Sequence, residues 1–198
     1  MTAAIHKAPR RRAILLGIAA AMLLATACGG GTNITSDIQA RYAGLKEFTA
    51  TVDIAADYGD RVSHYTVVYE QTSPGEASIS IERPSEIAGM TAHIKGGGSE
   101  LHYDGLILET GPLAGTALTP IDAVPAMLAA WAVSRASDFS STQYNGVKCW
   151  QLTFLSSAGE NTIEQTAWFS ADTLKPIRAE TSADGRLVIA CDFTSAEW

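Results

Sequence analysis

The residues with the most chemical potential lie mid-chain: His93, His102 and Asp104, around the run Gly96-Gly97-Gly98-Ser99. Two imidazoles and a carboxylate are metal-ligand types, but their spacing fits no recurring ligand set. On a strand, His102 and Asp104 share a face opposite Tyr103, and a solvated polar face accounts for both. The glycine run lacks the Lys-Ser/Thr pair and the following helix of a phosphate loop, so it reads as a hairpin tip. There is no Gly-x-Ser-x-Gly elbow, and no nucleophile, base and orienting group can be assembled. The sequence therefore predicts no enzyme, no metal site and no cofactor. Cys191 alternates with Leu187, Ile189 and Phe193, whereas Cys149 falls with Val147, Gln151 and Thr153. On opposite faces, these two are expected to be free thiols.

Cys28 is different. Arg10-Arg11-Arg12 leads into the apolar run Ala13–Leu24, and the small residues Ala25-Thr26-Ala27 precede the cysteine. This is the three-part layout of a secretory signal. The placing of Cys28 resembles a bacterial lipobox, with Ala25 where Leu is usual and Leu24 one step earlier. An uncleaved membrane anchor is the alternative. Ala13–Ala27 offers only 15 residues, against the roughly 20 that a spanning helix needs. The paired arginines resemble a twin-arginine signal, but with no cofactor motif downstream ordinary secretion is preferred. Residues 1–27 are thus expected to be a signal peptide, with Cys28 lipidated and residues 28–33 a flexible tether. Lipid on Cys28 would hold the protein on the extracytoplasmic face of the bacterial cell membrane.

Charge narrows the partners. The 198 residues carry a net charge of −7, and the four bases before Cys28 leave ten bases against 21 acids in residues 28–198, a net of −11. Nucleic acid is excluded as a partner, since binding it needs clustered Lys and Arg. Docking on anionic lipid through a basic patch is excluded for the same reason.

Elements to position these residues follow from periodicity. Ile34, Ile38, Tyr42 and Leu45 share a helical face, with Thr35 or Ser36 as N-cap. Phe48–Tyr58 then alternates, and Gly59-Asp60 suits a two-residue turn into a return strand carrying Tyr65, Val67 and Tyr69. Further strands are expected at Ala77–Glu82, Thr91–Lys95, Leu101–Tyr103 and Leu106–Thr110. A helix over Asp122–Arg135 follows, with Asp122 as its cap because Pro125 must lie near its start. Its apolar stripe would be Met127, Leu128 and Trp131. Strands at Val147–Leu155, Ile163–Ser170, Ile177–Thr181 and Leu187–Thr194 complete the chain, the last pair turning at Asp184-Gly185. The fold class is α+β: a strongly curved antiparallel sheet, an incomplete barrel, with helices covering its concave face. Residues 34–198 are expected to form one domain. Phe48, Val52, Ile54, Tyr65, Val67, Tyr69, Met127, Leu128, Trp131, Trp150, Leu152 and Trp168 would either pack as core or line an acyl-chain cavity.

This order of elements resembles the LolA-like superfamily of bacterial lipoprotein carriers. The resemblance is carried by Leu45-Lys46-Glu47-Phe48-Thr49-Ala50, Ile81-Glu82-Arg83-Pro84, Leu101-His102-Tyr103-Asp104-Gly105-Leu106, Ala167-Trp168-Phe169 and Leu174 through Glu180, and it covers Ile34–Trp198. Within that group the chain is similar to the lipidated branch of spore-forming bacteria typified by the germination lipoprotein GerS. Soluble carriers lack an anchoring cysteine, and no residue here matches their lid-controlling arginine. The resemblance implies a non-catalytic lipoprotein that binds a protein partner in envelope or spore-cortex processing, such as a peptidoglycan (cell-wall) amidase. The alternative it implies is a carrier or sensor holding a lipid acyl chain between sheet and helices. A structural envelope protein is a third option.

Overall fold

The computed structural model describes residues 31–198; the expected signal peptide, residues 1–27, and Cys28 lie outside the described residues. Helix α1 spans Gly31–Ala43. It is followed by β1 (Phe48–Asp57), β2 (Val62–Ser73), β3 (Glu76–Arg83), β4 (Thr91–Lys95), β5 (Gly98–Tyr103) and β6 (Leu106–Glu109). Helix α2 (Pro120–Val133) then precedes β7 (Asp138–Tyr144), β8 (Val147–Ala158), β9 (Asn161–Ser170), β10 (Pro176–Ala183) and β11 (Arg186–Glu197). All 11 strands form a single antiparallel sheet in the order β6-β5-β4-β3-β2-β1-β11-β10-β9-β8-β7. Each strand pairs with its sequence neighbour, except where β1 pairs with β11 and joins the two halves. β6 and β7 remain as edges, so the sheet is not closed into a barrel.

The alternation of β1 does what the sequence predicts: Phe48, Ala50, Val52, Ile54 and Ala56 are buried. Gly59 takes φ +95° in the turn to β2, which closes with Tyr58 N–H donating to Arg61 O at 2.9 Å. Asp184-Gly185 turns with φ of 50° and 78°, the doubly positive pattern of a type I′ hairpin.

Four expectations need correction. α1 starts at Gly31, inside the stretch expected to be tether, and Thr35 and Ser36 lie within it rather than capping it. Residues 31–33 include no large apolar residue, so periodicity could not register them. The N-cap of α2 is Thr119, whose side chain accepts from Asp122 N–H, with Pro120 and not Pro125 in the first turn. Asp122 sits three residues inside and is almost fully buried. Strand β7 has no counterpart among the expected strands: its sequence Asp-Phe-Ser-Ser-Thr-Gln-Tyr is exposed over most of its length and has no dry face to impose alternation. Asn145-Gly146, with φ of 49° and 80°, makes the turn into β8 and is the signal that reveals it.

Candidate functional site

Both helices pack on one face of the sheet. Trp131 of α2 lies with its ring centroid 4.9 Å from Phe169 of β9 and 5.0 Å from Tyr42 of α1. Tyr42 also meets Phe169 at 5.4 Å, and its hydroxyl donates to Leu174 O at 3.0 Å. Phe48, Val52, Val67, Tyr69, Met127, Leu128 and Leu152 are buried on this face. Register places Ile54 beside Tyr65, Val52 beside Val67 and Trp150 beside Phe169, which brings Tyr65 and Trp150 to the same side, both half-buried. Trp168 is the exception. It pairs with Gln151 and Arg178 on the opposite face and stacks 6.1 Å from Tyr144. Its neighbours Ala167 and Phe169 are fully buried, so parity turns Trp168 outward.

Around Trp131, therefore, the helix-covered face is filled by side chains. An opening persists to one side, where Tyr42 and Leu45, Leu128 and Val133, and Tyr69 and Ile94 border a largely apolar groove of about 400 Å³. Gln165 and Thr181 are register partners deeper in the sheet, each buried with an oxygen that meets no protein partner. An ordered water would satisfy them.

Asp122 organises the loop before α2. Its carboxylate accepts from Gly115 N–H at 3.0 Å, Thr116 N–H at 2.9 Å and Ala117 N–H at 3.1 Å. Three charge-assisted bonds compensate its burial and pin the chain arriving from β6 to the helix start.

Among the described residues, the longest run of exposed large apolar side chains is on that edge strand. Leu106, Ile107 and Leu108 are 73%, 64% and 60% exposed, and only one side of β6 is paired. The doubly positive turn at Asp104-Gly105 presents it. The histidines singled out from sequence are close by: the rings of His93 and His102 meet at 4.6 Å, and His102 Nε2 lies 3.2 Å from Glu100. Asp104 is in the turn, beyond the end of the strand that carries His102. Among the described residues no three His, Cys, Asp or Glu side chains converge as a metal site. Cys149 and Cys191 are both free and buried, and burial pushes the Cys191 thiol pKa well up. No helix among the described residues is long and apolar enough to cross a membrane.

No protein-family model matches the chain. No curated protein matches it significantly. Solved structures do match in fold. An uncharacterized conserved protein from Thermus thermophilus superposes with TM-score 0.53 at 9% identity, over 84% of this chain and 86% of that one. A LolA superfamily protein from Nitrosomonas europaea gives 0.48 at 11% identity, over 82% and 92%. A structure of the CwlD amidase from Clostridioides difficile in complex with the GerS lipoprotein gives 0.41 at 10% identity, over 86% and 96%. LolA-superfamily and lipoprotein-sorting-like proteins are thus among its structural neighbours, and one open antiparallel sheet, with two helices among the described residues, is its fold class.

Proposed function

We propose that the protein is a non-catalytic lipoprotein, tethered outside the cell by lipid on Cys28, that acts by binding a protein partner in the cell envelope. One observation carries this reading: the unpaired β6 edge with three consecutive exposed apolar side chains. Sheet edges are normally blunted by charge, proline or a covering loop, because a bare edge invites pairing with another chain. Exposed apolar residues on such an edge mark an interaction surface. The filled interior around Trp131 also favours recognition at the surface over cargo within.

A peptidoglycan amidase is the partner to test first. Mixed with the detergent-solubilised lipoprotein and followed by gel filtration with light scattering, it should form a discrete complex. Ile107→Lys should weaken that complex at least tenfold while leaving the circular dichroism spectrum unchanged. Free elution of both proteins would contradict this partner.

The apolar groove beside Tyr42 and Leu128 favours a second reading, a carrier or sensor of one acyl chain. Its volume of about 400 Å³ lies within the range of small-molecule sites. Lipid retained through a native mass spectrum, with no amidase complex, would establish that reading instead.

A further inference from the structure

We infer that the sheet face turned away from the helices holds a seat for one lysine or arginine side chain of the protein partner. The inference rests on the partner-binding reading above. Pairing across the strands aligns Arg83, Thr66, Asp53, Asp192 and Arg178 in a single row on β3, β2, β1, β11 and β10. Asp53 and Asp192 are direct cross-strand partners, a pairing of like charges that costs stability unless a cation answers it.

Only one of the two is answered. Asp192 receives Arg178 Nη1 at 2.7 Å and the Tyr144 hydroxyl at 3.2 Å. Arg178 also bonds Glu180 at 2.7 Å. Burial pulls its pKa down, but these bonds to Asp192 and Glu180 outweigh it and keep the guanidinium charged. Arg178 is therefore committed to Asp192 and Glu180. Asp53 receives the Thr66 hydroxyl at 2.6 Å, and no cation pairs with it among the described residues.

Asp53, Thr66 and Asp192 border a groove of about 840 Å³. Arg83, Pro84, Ser85 and Ala88 form a wall, and Ala55 and His64 also line the groove, with Glu82 adding a further acid. Apolar surface beside a carboxylate suits an amphipathic occupant: the aliphatic stem lies along Ala55, Pro84 and Ala88, and the charged head reaches Asp53. Charge complementarity fixes the sign, since the net −11 of residues 28–198 steers basic groups inward. The wall is also continuous with the edge strand. Tyr103, opposite Leu106 in the β5–β6 pair, donates its hydroxyl to Glu86 O at 3.0 Å. A partner strand on β6 would thus bring a neighbouring side chain within range of the groove.

Calorimetric titration of the detergent-solubilised lipoprotein with blocked tripeptides tests the seat. Acetyl-Ala-Lys-Ala-amide or acetyl-Ala-Arg-Ala-amide should bind saturably, and acetyl-Ala-Gln-Ala-amide should not. Asp53→Asn should weaken binding at least tenfold, whereas Glu100→Gln, removing an exposed acid away from the groove, should change it less than twofold. Ala55→Lys supplies a competing ammonium and should abolish binding, which keeps the test decisive if Asp53→Asn misfolds. Equal losses from Asp53→Asn and Glu100→Gln, or binding of the glutamine peptide as strong as that of the lysine peptide, would overturn the seat. An amidase complex indifferent to Asp53→Asn would sink the seat and spare the partner reading. Peptide binding without an amidase complex would do the reverse.

Discussion

Trp131→Ala is expected to cost about 3–5 kcal/mol, the range for truncating a fully buried tryptophan. For a chain of this size that lowers the melting temperature by roughly 6–20 °C. The ring is fully buried and ties three elements together, meeting Tyr42 of α1, Phe169 of β9 and, at 6.1 Å, Phe193 of β11. Its indole N–H has no partner, and Trp131→Phe therefore forfeits volume but no hydrogen bond. That variant should lose clearly less than the alanine variant, because it removes fewer buried atoms and leaves a smaller cavity. Thermal unfolding of both variants measures the difference. Similar losses would show that the aromatic cluster is not close-packed.

Asp122→Ala is the second large effect, about 2–4 kcal/mol. The substitution removes the acceptor of three backbone donors at Gly115, Thr116 and Ala117; water can reach the exposed Gly115, but the buried Ala117 N–H is left unpaired and carries a desolvation penalty. Asp122→Asn keeps one acceptor oxygen and should lose roughly half as much. Hydrogen exchange at residues 115–117 reads the mechanism directly: their amides should lose protection in the alanine variant before the sheet does. Unchanged protection there would mean that the loop is held by something other than the carboxylate.

What is legible in the sequence tracks one-sided burial. β1 can be placed almost to the residue because Phe48 through Ala56 feel dry core on alternate positions only. Trp168 is expected on the cavity side, and only the burial of its neighbours Ala167 and Phe169 turns it to the other face. β7 leaves no hydrophobic trace, and only its turn gives it away. Asp122 can be recognised as a helix-start residue, but its role as a hub for a preceding loop depends on how residues 115–117 fold back. The groove at Asp53 is out of reach altogether. It needs the register of five strands, including the β1–β11 pair that joins residues 139 positions apart, and no local pattern encodes that.

Anchoring of a binding surface outside the cell is the claim on which the rest depends, and the intact mass of the protein recovered from membranes measures it. The expected chain begins at Cys28, carries diacylglycerol on its sulfur and an acylated or free amino group, and leaves the membrane fraction when Cys28 is replaced by alanine. A chain still beginning at Met1, with Cys28 an unmodified thiol and the protein soluble in the cytosol, would contradict it.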